Sequence, residues 1–565
     1  MTDTAVKIAN VQAQPARFKL PVWFWLLPIP VIAFPILYPT ASLFVGSFNE
    51  NPPGGAYEFG LGNYAAAFTS PGMLQLVLNT LWVAVLSCLI GIGAGNAMAW
   101  LVARTDIPFR PVWAVLAAAP FFVPSSLSAI GWTILANPDV GMLNKLAGFK
   151  LFDVYTYSGV AFVMAQHKAG FVYLMMYGVY RNADPSFEDA ARLSGSSAWR
   201  VYRTVQLPLV MPVLAATGLI TFVKAIENFE VPVIIGVPSG VTVLTSEIYY
   251  LLHIKSPPIY GQAIALACFL VALMTFMFAL QAMLGARRNI VSITGKGFRP
   301  CRMTLGKWKP VALAFAVLYA LAASILPIGV IIISSFFPVF GLWDMAYVTL
   351  DNYSRVLSDP SLHRAVINTL GLMVACATIV MIFGTYAAYL SERRLSKARS
   401  AIEFIFAIPW TMPGLVIGIA MLWAFIRIPG LYGTIYVIAI AYVAIGLPIG
   451  LRSVADSLRQ TSVELEDASR VHGAGLLRTI WKILLPLAWP AVIAGWFILA
   501  AMFSRELAAS AVLYGYGSEV ISVKLLGYWE YGQGSSAAVV STLLIALLLT
   551  LVLLAHLFTG KKADA

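Results

Sequence analysis

The sequence predicts an all-α polytopic membrane protein of about twelve transmembrane helices, built as two tandem six-span halves. Three observations lead there: an apolar composition, twelve long apolar runs, and one polar stretch that occurs twice. The 565 residues are 60% hydrophobic and 11% charged, with a mean hydropathy of +0.83. A soluble domain carries roughly 25% charge. A bilayer crossing takes about 20 apolar residues, and helices satisfy their own backbone groups in lipid.

In chain order the spans fall at 22–48, 73–103, 112–135, 157–180, 209–236 and 260–286. The second set falls at 309–336, 365–391, 402–426, 432–451, 488–514 and 535–559. The domains are then a tail (1–21), a first six-span unit (22–286), a linker (287–308), a second six-span unit (309–559) and a tail (560–565). The first apolar run lacks a short signal-like core and cleavage site, so it is expected to remain as an anchor. Arg287 to Lys309 contains seven basic residues and no acid. The positive-inside rule therefore puts this linker, both termini and both polar repeats in the cytoplasm. Topology also accounts for the net charge of +12 without nucleic acid as a partner.

The repeated stretch reads Glu188-Asp189-Ala190-Ala191-Arg192-Leu193-Ser194-Gly195, then Val205, Leu207 and Pro208. Its second copy reads Glu466-Asp467-Ala468-Ser469-Arg470-Val471-His472-Gly473, then Ile483, Leu485 and Pro486, offset by 278 throughout. Each follows the fourth span of its half and ends where the fifth begins. The bland alternative is an ordinary amphipathic loop, but a duplicated loop at one offset argues against it. Further matches share an offset of 289: Leu61-Gly62-Asn63-Tyr64 with Leu350-Asp351-Asn352-Tyr353, Asn79-Thr80-Leu81 with Asn368-Thr369-Leu370, and Pro120 and Pro124 with Pro409 and Pro413. The drop from 289 to 278 places about eleven extra residues in the first half, expected at 136–156. The prolines after each copy can occupy the first turn of the next span, where no N–H is needed.

The two copies resemble the permease signature of binding-protein-dependent ABC importers: Glu-Ala-Ala, three residues, Gly, nine residues, Ile, any residue, Leu-Pro. Asp189 and Asp467 stand at the Glu position, Ser469 replaces the second Ala and Val205 the Ile. The resemblance implies the MetI-like fold of type I importers in a bacterial inner membrane. It implies that each signature forms a coupling helix seated in an ATPase subunit. Glu188, Asp189, Ala190, Ala191, Arg192, Gly195 and Pro208 would serve one ATPase. Glu466, Asp467, Ala468, Arg470, Gly473 and Pro486 would serve the second. It further implies two ATPase copies, a periplasmic substrate-binding protein, and ATP with magnesium held by the partners. The chain has no Walker loop of its own. Thr294-Gly295-Lys296-Gly297 lacks the earlier Gly, since position 290 is Ile, and the hydroxyl residue.

Charges within spans default to functional hypotheses because lipid penalises them. Lys224, Glu227 and Glu230 fall roughly 22–32 Å along the fifth span. Arg505 and Glu506 lie in register with Glu227 and Asn228, and His167 and Lys168 sit near the middle of the fourth span. One reading makes these seven residues a polar translocation path. The other is structural, with Lys224 and Glu227 paired at i,i+3. Gly91, Gly93 and Gly95 read as close helix packing rather than a phosphate cradle.

No catalytic constellation appears. Cys88, Cys268, Cys301 and Cys376 have no metal spacing, and the five histidines are scattered. The chain is not expected to be an enzyme, and no metal ligands are assigned. Within the resembled class, Glu227-Asn228-Phe229-Glu230-Val231-Pro232, Gly236, Pro238 and Val243 to Tyr249 are most similar to ferric-iron permeases. Permeases for 2-aminoethylphosphonate, thiamine, polyamine and sulfate remain alternatives. A proton-coupled 6+6 secondary transporter is the rival class. It would place its basic signature between spans two and three, where only Arg104 to Arg110 lies.

Overall fold

The computed structural model describes residues 27–184, 186–286, 303–339, 343–394 and 399–560. The first half contains α1 (Ile29–Ser47), α2 (Met73–Arg104), α3 (Arg110–Phe122), α4 (Ser125–Ala136) and α5 (Tyr157–Asn182). It continues with α6 (Ser186–Leu193), α7 (Trp199–Ile226), α8 (Pro232–Ser239), α9 (Leu244–Ile254) and α10 (Tyr260–Ala286). The second half contains α11 (Gly306–Ser334), α12 (Pro360–Arg394), α13 (Arg399–Thr411), α14 (Gly414–Phe425) and α15 (Ile435–Gln460). It ends with α16 (Glu464–Val471), α17 (Leu476–Phe503), α18 (Ile521–Glu530) and α19 (Gly534–Gly560). The tail 1–21, linker residues 287–302 and residues 561–565 lie outside the described residues.

Among the described residues, nine helices are long and apolar enough to cross a membrane, or up to twelve crossings with three bent pairs counted as one each. The expected third and ninth spans are two of these pairs. α3 and α4 meet at 102°, and α13 and α14 at 103°. The breaks fall at Pro124 and Pro413, and proline forces its predecessor out of the helical region. Val123 and Met412 are accordingly extended, with ψ of 129° and 122°. The expected fifth and eleventh spans begin and end earlier, at Trp199–Ile226 and Leu476–Phe503. After α7 the chain enters a third bent pair, α8 and α9 at 79°, which periodicity did not reveal. The expected fourth span is the 26-residue α5, which is not one of the nine.

Packing explains why the bent pair α3–α4 still carries the chain across. α2 and α5 run in the same direction: Asn79 donates to Tyr157 at one end (2.7 Å), and Tyr180 donates to Asn96 nearer the other (3.1 Å). The chain must therefore return between them. It does so through α3, tied by Arg110 Nε to the Val102 carbonyl (2.8 Å), and α4, tied by the Val154 N–H to the Ala136 carbonyl (3.2 Å). Small residues permit the close approach of α2 and α5. A Cβ on Gly91 would lie 2.8 Å from Lys168 Cβ, and one on Gly95 only 2.4 Å from the Ala169 carbonyl oxygen. Gly93 faces open space and plays no such part. In the second half, Gly384 of α12 meets Gly450 of α15.

After the first helix of each half the same bonds recur. Asn63 donates to the Ser47 and Asn49 carbonyls (3.2 and 2.8 Å), as Asn352 does to Ser335 and Phe337 (3.1 and 2.7 Å). Ser47–Tyr64 and Ser335–Tyr353 hydroxyls each pair at 2.7 Å. The extra residues of the first half lie where expected. α4 and α5 are joined by residues 137–156, whereas α14 and α15 are joined only by 426–434. The first helix of each half crosses to the other half. Tyr38 of α1 donates to the Ala424 carbonyl on α14 (3.1 Å), and Tyr319 of α11 to the Ala117 carbonyl on α3 (3.1 Å).

Gly384→Leu should lower both the membrane yield and the melting temperature of the purified protein. Its Cβ would sit 2.4 Å from the Gly450 carbonyl carbon, and overpacking of this kind costs about 1–3 kcal/mol or more. Gly371→Leu on the same helix points into open space and should leave both quantities unchanged.

Candidate functional site

Each polar repeat folds as an eight-residue helix, α6 and α16. Both end on a left-handed glycine, Gly195 at φ 77° and Gly473 at φ 76°. The Ser196 N–H then reaches back to the Ala191 carbonyl, and the Ala474 N–H to the Ser469 carbonyl, both at 3.1 Å. These six-to-one bonds close the helix as a Schellman cap, a geometry that glycine adopts without a Cβ penalty.

One face of each helix is locked to the bundle. Glu188 is buried and lies 3.2 Å from Arg104, the last residue of α2. Glu466 is buried and lies 3.2 Å from Arg393 near the end of α12. Arg104 also donates to the Ala183 carbonyl just beyond α5 (2.5 Å). Arg393 donates to the Leu458 and Thr461 carbonyls at the end of α15 (2.9 and 2.6 Å). One guanidinium thus joins three elements in each half. Glu188 and Glu466 point inward, each the counter-ion of a buried arginine, so they anchor the signature helix rather than form its exposed face.

The outward face is formed by other residues. Gly195, Gly473 and Ala468 are exposed, while Ala191 and Asp467 are half-buried. The side chains of Asp189, Ala190, Arg192 and Arg470 lie outside the described residues. Beside each glycine stands an exposed apolar pair at the 278 offset: Leu193 and Trp199 in the first half, Val471 and Leu477 in the second. Leu193 is 91% exposed and Val471 78%. Nearby, Asp106 accepts from the Leu305 N–H (2.9 Å) and Lys309 (3.1 Å). The Leu305 bond, with Lys309, outweighs partial burial and holds the Asp106 carboxyl below the usual carboxylate range.

The signature continues directly into the next long helix. Pro208 and Pro486 do not open a fresh helix, as the sequence suggested. Each follows a π-turn, Tyr202–Gln206 or Ile480–Leu484, inside a continuous helix. The wider turn absorbs the bond that the proline nitrogen cannot make. α6 and α16 are therefore each separated from a long helix by only a tight turn.

The intramembrane charges gather at broken helix ends. At the α3–α4 break, His167 Nδ1 donates to the Pro120 carbonyl (3.1 Å), which can only accept. Arg505 crosses from the second half to the Phe122 carbonyl (3.1 Å) and lies 3.4 Å from that of Phe121. Glu230, in the segment between α7 and α8, accepts from Ser125 Oγ (2.7 Å) and the Ser126 N–H (2.6 Å). An imidazole N–H and a guanidinium cap the carbonyl end and a carboxylate caps the amide end, as orphan helix termini require. At the end of α7, Lys168 donates to the Lys224 carbonyl (2.9 Å), and Lys224 pairs with Glu227 (2.6 Å). Glu227 Oε2 is buried without a hydrogen-bond partner among the described residues. Glu506 caps its own following turn through Ala509 and Ser510 (2.8 and 3.1 Å). The structure thus brings His167, Glu230 and Arg505 together, groups Lys168, Lys224 and Glu227 at a second helix end, and leaves Glu506 with its own half.

Two segments, residues 87–290 and 380–561, match the family described as the binding-protein-dependent transport system inner membrane component. Each segment contains one signature helix with its following long helix. The chain belongs to this family.

The permease is 24% identical to the ferric transport system permease protein FbpB of Actinobacillus pleuropneumoniae, over 95% of this chain and 79% of the relative. It is also 24% identical to the spermidine/putrescine transport system permease protein PotC of Escherichia coli, over 42% of this chain and 89% of that protein. It is thus a multi-pass inner-membrane permease with the domain present twice. Sequence reading overlooked Arg104 and Arg393, which the 289 offset links as it links the other matched pairs. Leu193 and Trp199, with their counterparts Val471 and Leu477, were likewise readable only as a matched apolar pattern.

Replacing Arg104 by Met should destabilise the permease by about 3–5 kcal/mol, because a buried carboxylate loses its partner. The double variant Arg104→Met, Glu188→Leu should recover much of that loss. A thermal-unfolding double-mutant cycle in detergent measures the coupling; additive effects would refute a direct pair.

Proposed function

We propose that this permease forms the membrane pathway of an ATP-driven importer whose cargo is delivered by a separate binding protein. The observation that carries the reading is the doubled signature helix, anchored in both halves by an equivalent buried Arg–Glu pair and presenting exposed apolar residues beside the glycine. Exposed apolar clusters of this kind mark protein interfaces. Each helix is the docking element for one ATPase subunit, and ATP with magnesium belongs to those subunits. The signature end faces the cytoplasm, in keeping with the basic residues of the linker.

Motion of a docked signature helix has two routes into the bundle. The Arg104 and Arg393 pairs pass it to α2 and α12 and to the ends of α5 and α15. The tight turn and π-helical entry pass it along α7 and α17. α17 leads to Arg505, which holds the α3 carbonyls of the opposite half, so separating the halves must break that contact. The permease closes its path there, and Glu227 and Glu230 meet the cargo when it opens.

Ferric iron is the cargo this reading favours, supported by the named iron permease that aligns with 95% of the chain. A polyamine is the second reading, supported by the shorter match to PotC. Uptake of radiolabelled ferric iron into cells with and without the gene, repeated after ATP depletion, tests cargo and energy source together. A gene-dependent, ATP-dependent signal is expected. Uptake that survives ATP depletion but collapses with the proton gradient would instead support a secondary transporter.

Gly195→Val with Gly473→Val should abolish most uptake while the protein remains in the membrane. Both glycines have open space around them, so the cost is the left-handed backbone, about 1–2 kcal/mol per site, plus a side chain in the docking face. Normal ATP-driven uptake by the double variant would remove the coupling role. Glu227→Gln and Glu230→Gln should each lower uptake without weakening ATPase binding in a pull-down; unchanged uptake in both would leave them as helix caps alone.

A further inference from the structure

At the end opposite the signature helices, a cavity of about 340 Å³ lies between the start of α2, the start of α5, α9 and α10. Gln75, Asn79, Tyr157, Glu247 and Gln262, with the hydroxyl residues Ser70 and Thr242, contribute its polar lining. One N–H of each amide is engaged within the protein. Gln75 Nε2 donates to Asn79 Oδ1 (2.7 Å), Asn79 Nδ2 to Tyr157 (2.7 Å), and Gln262 Nε2 to the Ala66 carbonyl (3.4 Å). The acceptors that line the cavity with no hydrogen bond among the described residues include the Gln75 and Gln262 carbonyl oxygens and both oxygens of half-buried Glu247. Among the described residues no cation forms an ion pair with Glu247, and Lys255 acts on it only at a distance.

The repeat supplies an internal comparison. The Leu244 N–H donates to Thr80 Oγ1 and the Ile521 N–H to Thr369 Oγ1, both at 2.9 Å, which fixes the register of α9 against α18. In that register Glu247 matches Lys524, and Ser70 matches Asp359. The second half fills the equivalent place with its own ammonium: Lys524 Nζ lies 3.6 Å from Asp359 and 5.2 Å from the Tyr528 ring centre. The first half has a carboxylate there, no lysine, and an open cavity.

We propose that this cavity binds a primary ammonium or guanidinium group, with Glu247 as its counter-ion and the Gln75 and Gln262 carbonyl oxygens as further acceptors. A bare metal ion fits less well. Hard cations take six or more oxygens, several of them anionic, whereas one carboxylate is present and no cluster of three or more ligating side chains exists among the described residues. The volume lies at the small end of ligand pockets, which run from about 300 Å³, and suits a short amine. The cation can be a small amine free in solution or a lysine or arginine side chain of a protein docking at this end. The site does not depend on the importer reading.

The test is thermal unfolding of the full-length permease in nanodiscs, titrated with 1,4-diaminobutane. A saturable rise in melting temperature is expected, lost in Glu247→Gln and weakened in Gln75→Leu. Tetramethylammonium, which has no N–H donor, should give none. Ser70→Asp with Glu247→Lys transplants the second-half pair, so it should raise the unliganded melting temperature and abolish the amine response. No saturable shift, or one undiminished in Glu247→Gln, overturns the proposal. Carbodiimide treatment of intact envelopes separates the sources. A Glu247-dependent protein–protein product identifies a lysine side chain; a submillimolar amine midpoint without that product identifies a free amine.

Discussion

A backbone group inside a bilayer has no water to bond, and this constraint governs the central part of the permease. Where a helix runs unbroken, it satisfies itself. Where proline breaks it, as at Pro124, the last carbonyls of one segment and the first amides of the next need partners from elsewhere. The structure meets that need with side chains that lipid alone would reject. His167 and Arg505 take the carbonyls of Pro120, Phe121 and Phe122, and Glu230 takes the Ser126 amide. In the first half the charges and the break are one arrangement, each supplying partners for the other. Arg505 comes from the opposite half, so the same capping bond also joins the halves.

The two halves solve this problem unequally. Both have a broken third span at nearly the same angle, yet only the first places a carboxylate from the α7–α8 segment on the following helix. The equivalent of Ser125 in the second half is Gly414, and a Cβ there would lie 3.2 Å from Glu506. The far end shows the same divergence, with a closed Asp359–Lys524 pair in one half and an acceptor-lined cavity in the other. The signature end, by contrast, is conserved between the halves down to the arginine that holds each buried glutamate and the carbonyl of Ala183 or Thr461. Symmetry is kept where two like elements are presented outward and relaxed along the interior.

Much of the fold was legible because its signals are local and periodic. Apolar runs gave the long helices, the paired offsets gave the tandem repeat, and the loss of eleven residues from the offset located the longer connection between α4 and α5. Asn63, Tyr64 and Thr80 stood out as repeated residues, although their role as brackets between the first span, its following loop and α9 was not visible. The fifth span was misplaced because a π-turn lets a helix run through Pro208, and a proline in sequence looks like a boundary. The bent pair α8–α9 was missed because its two short helices lack the length that hydropathy detects.

The sequence by itself determined the class of protein, the duplication, the two signature helices and the glycines that end them, because composition, spacing and a left-handed turn are written in single residues and short intervals. Only the tertiary structure decided which way each charge faces. In the sequence Glu188 is only one member of the signature; the structure sets it against Arg104, 84 positions earlier. Arg505 is only an intramembrane charge in the sequence; the structure sets the carbonyls of Phe121 and Phe122 at its tip. The physical reason is common to both: a buried charge is defined by its partner, and in a bundle of long helices that partner lies close in space but far along the chain.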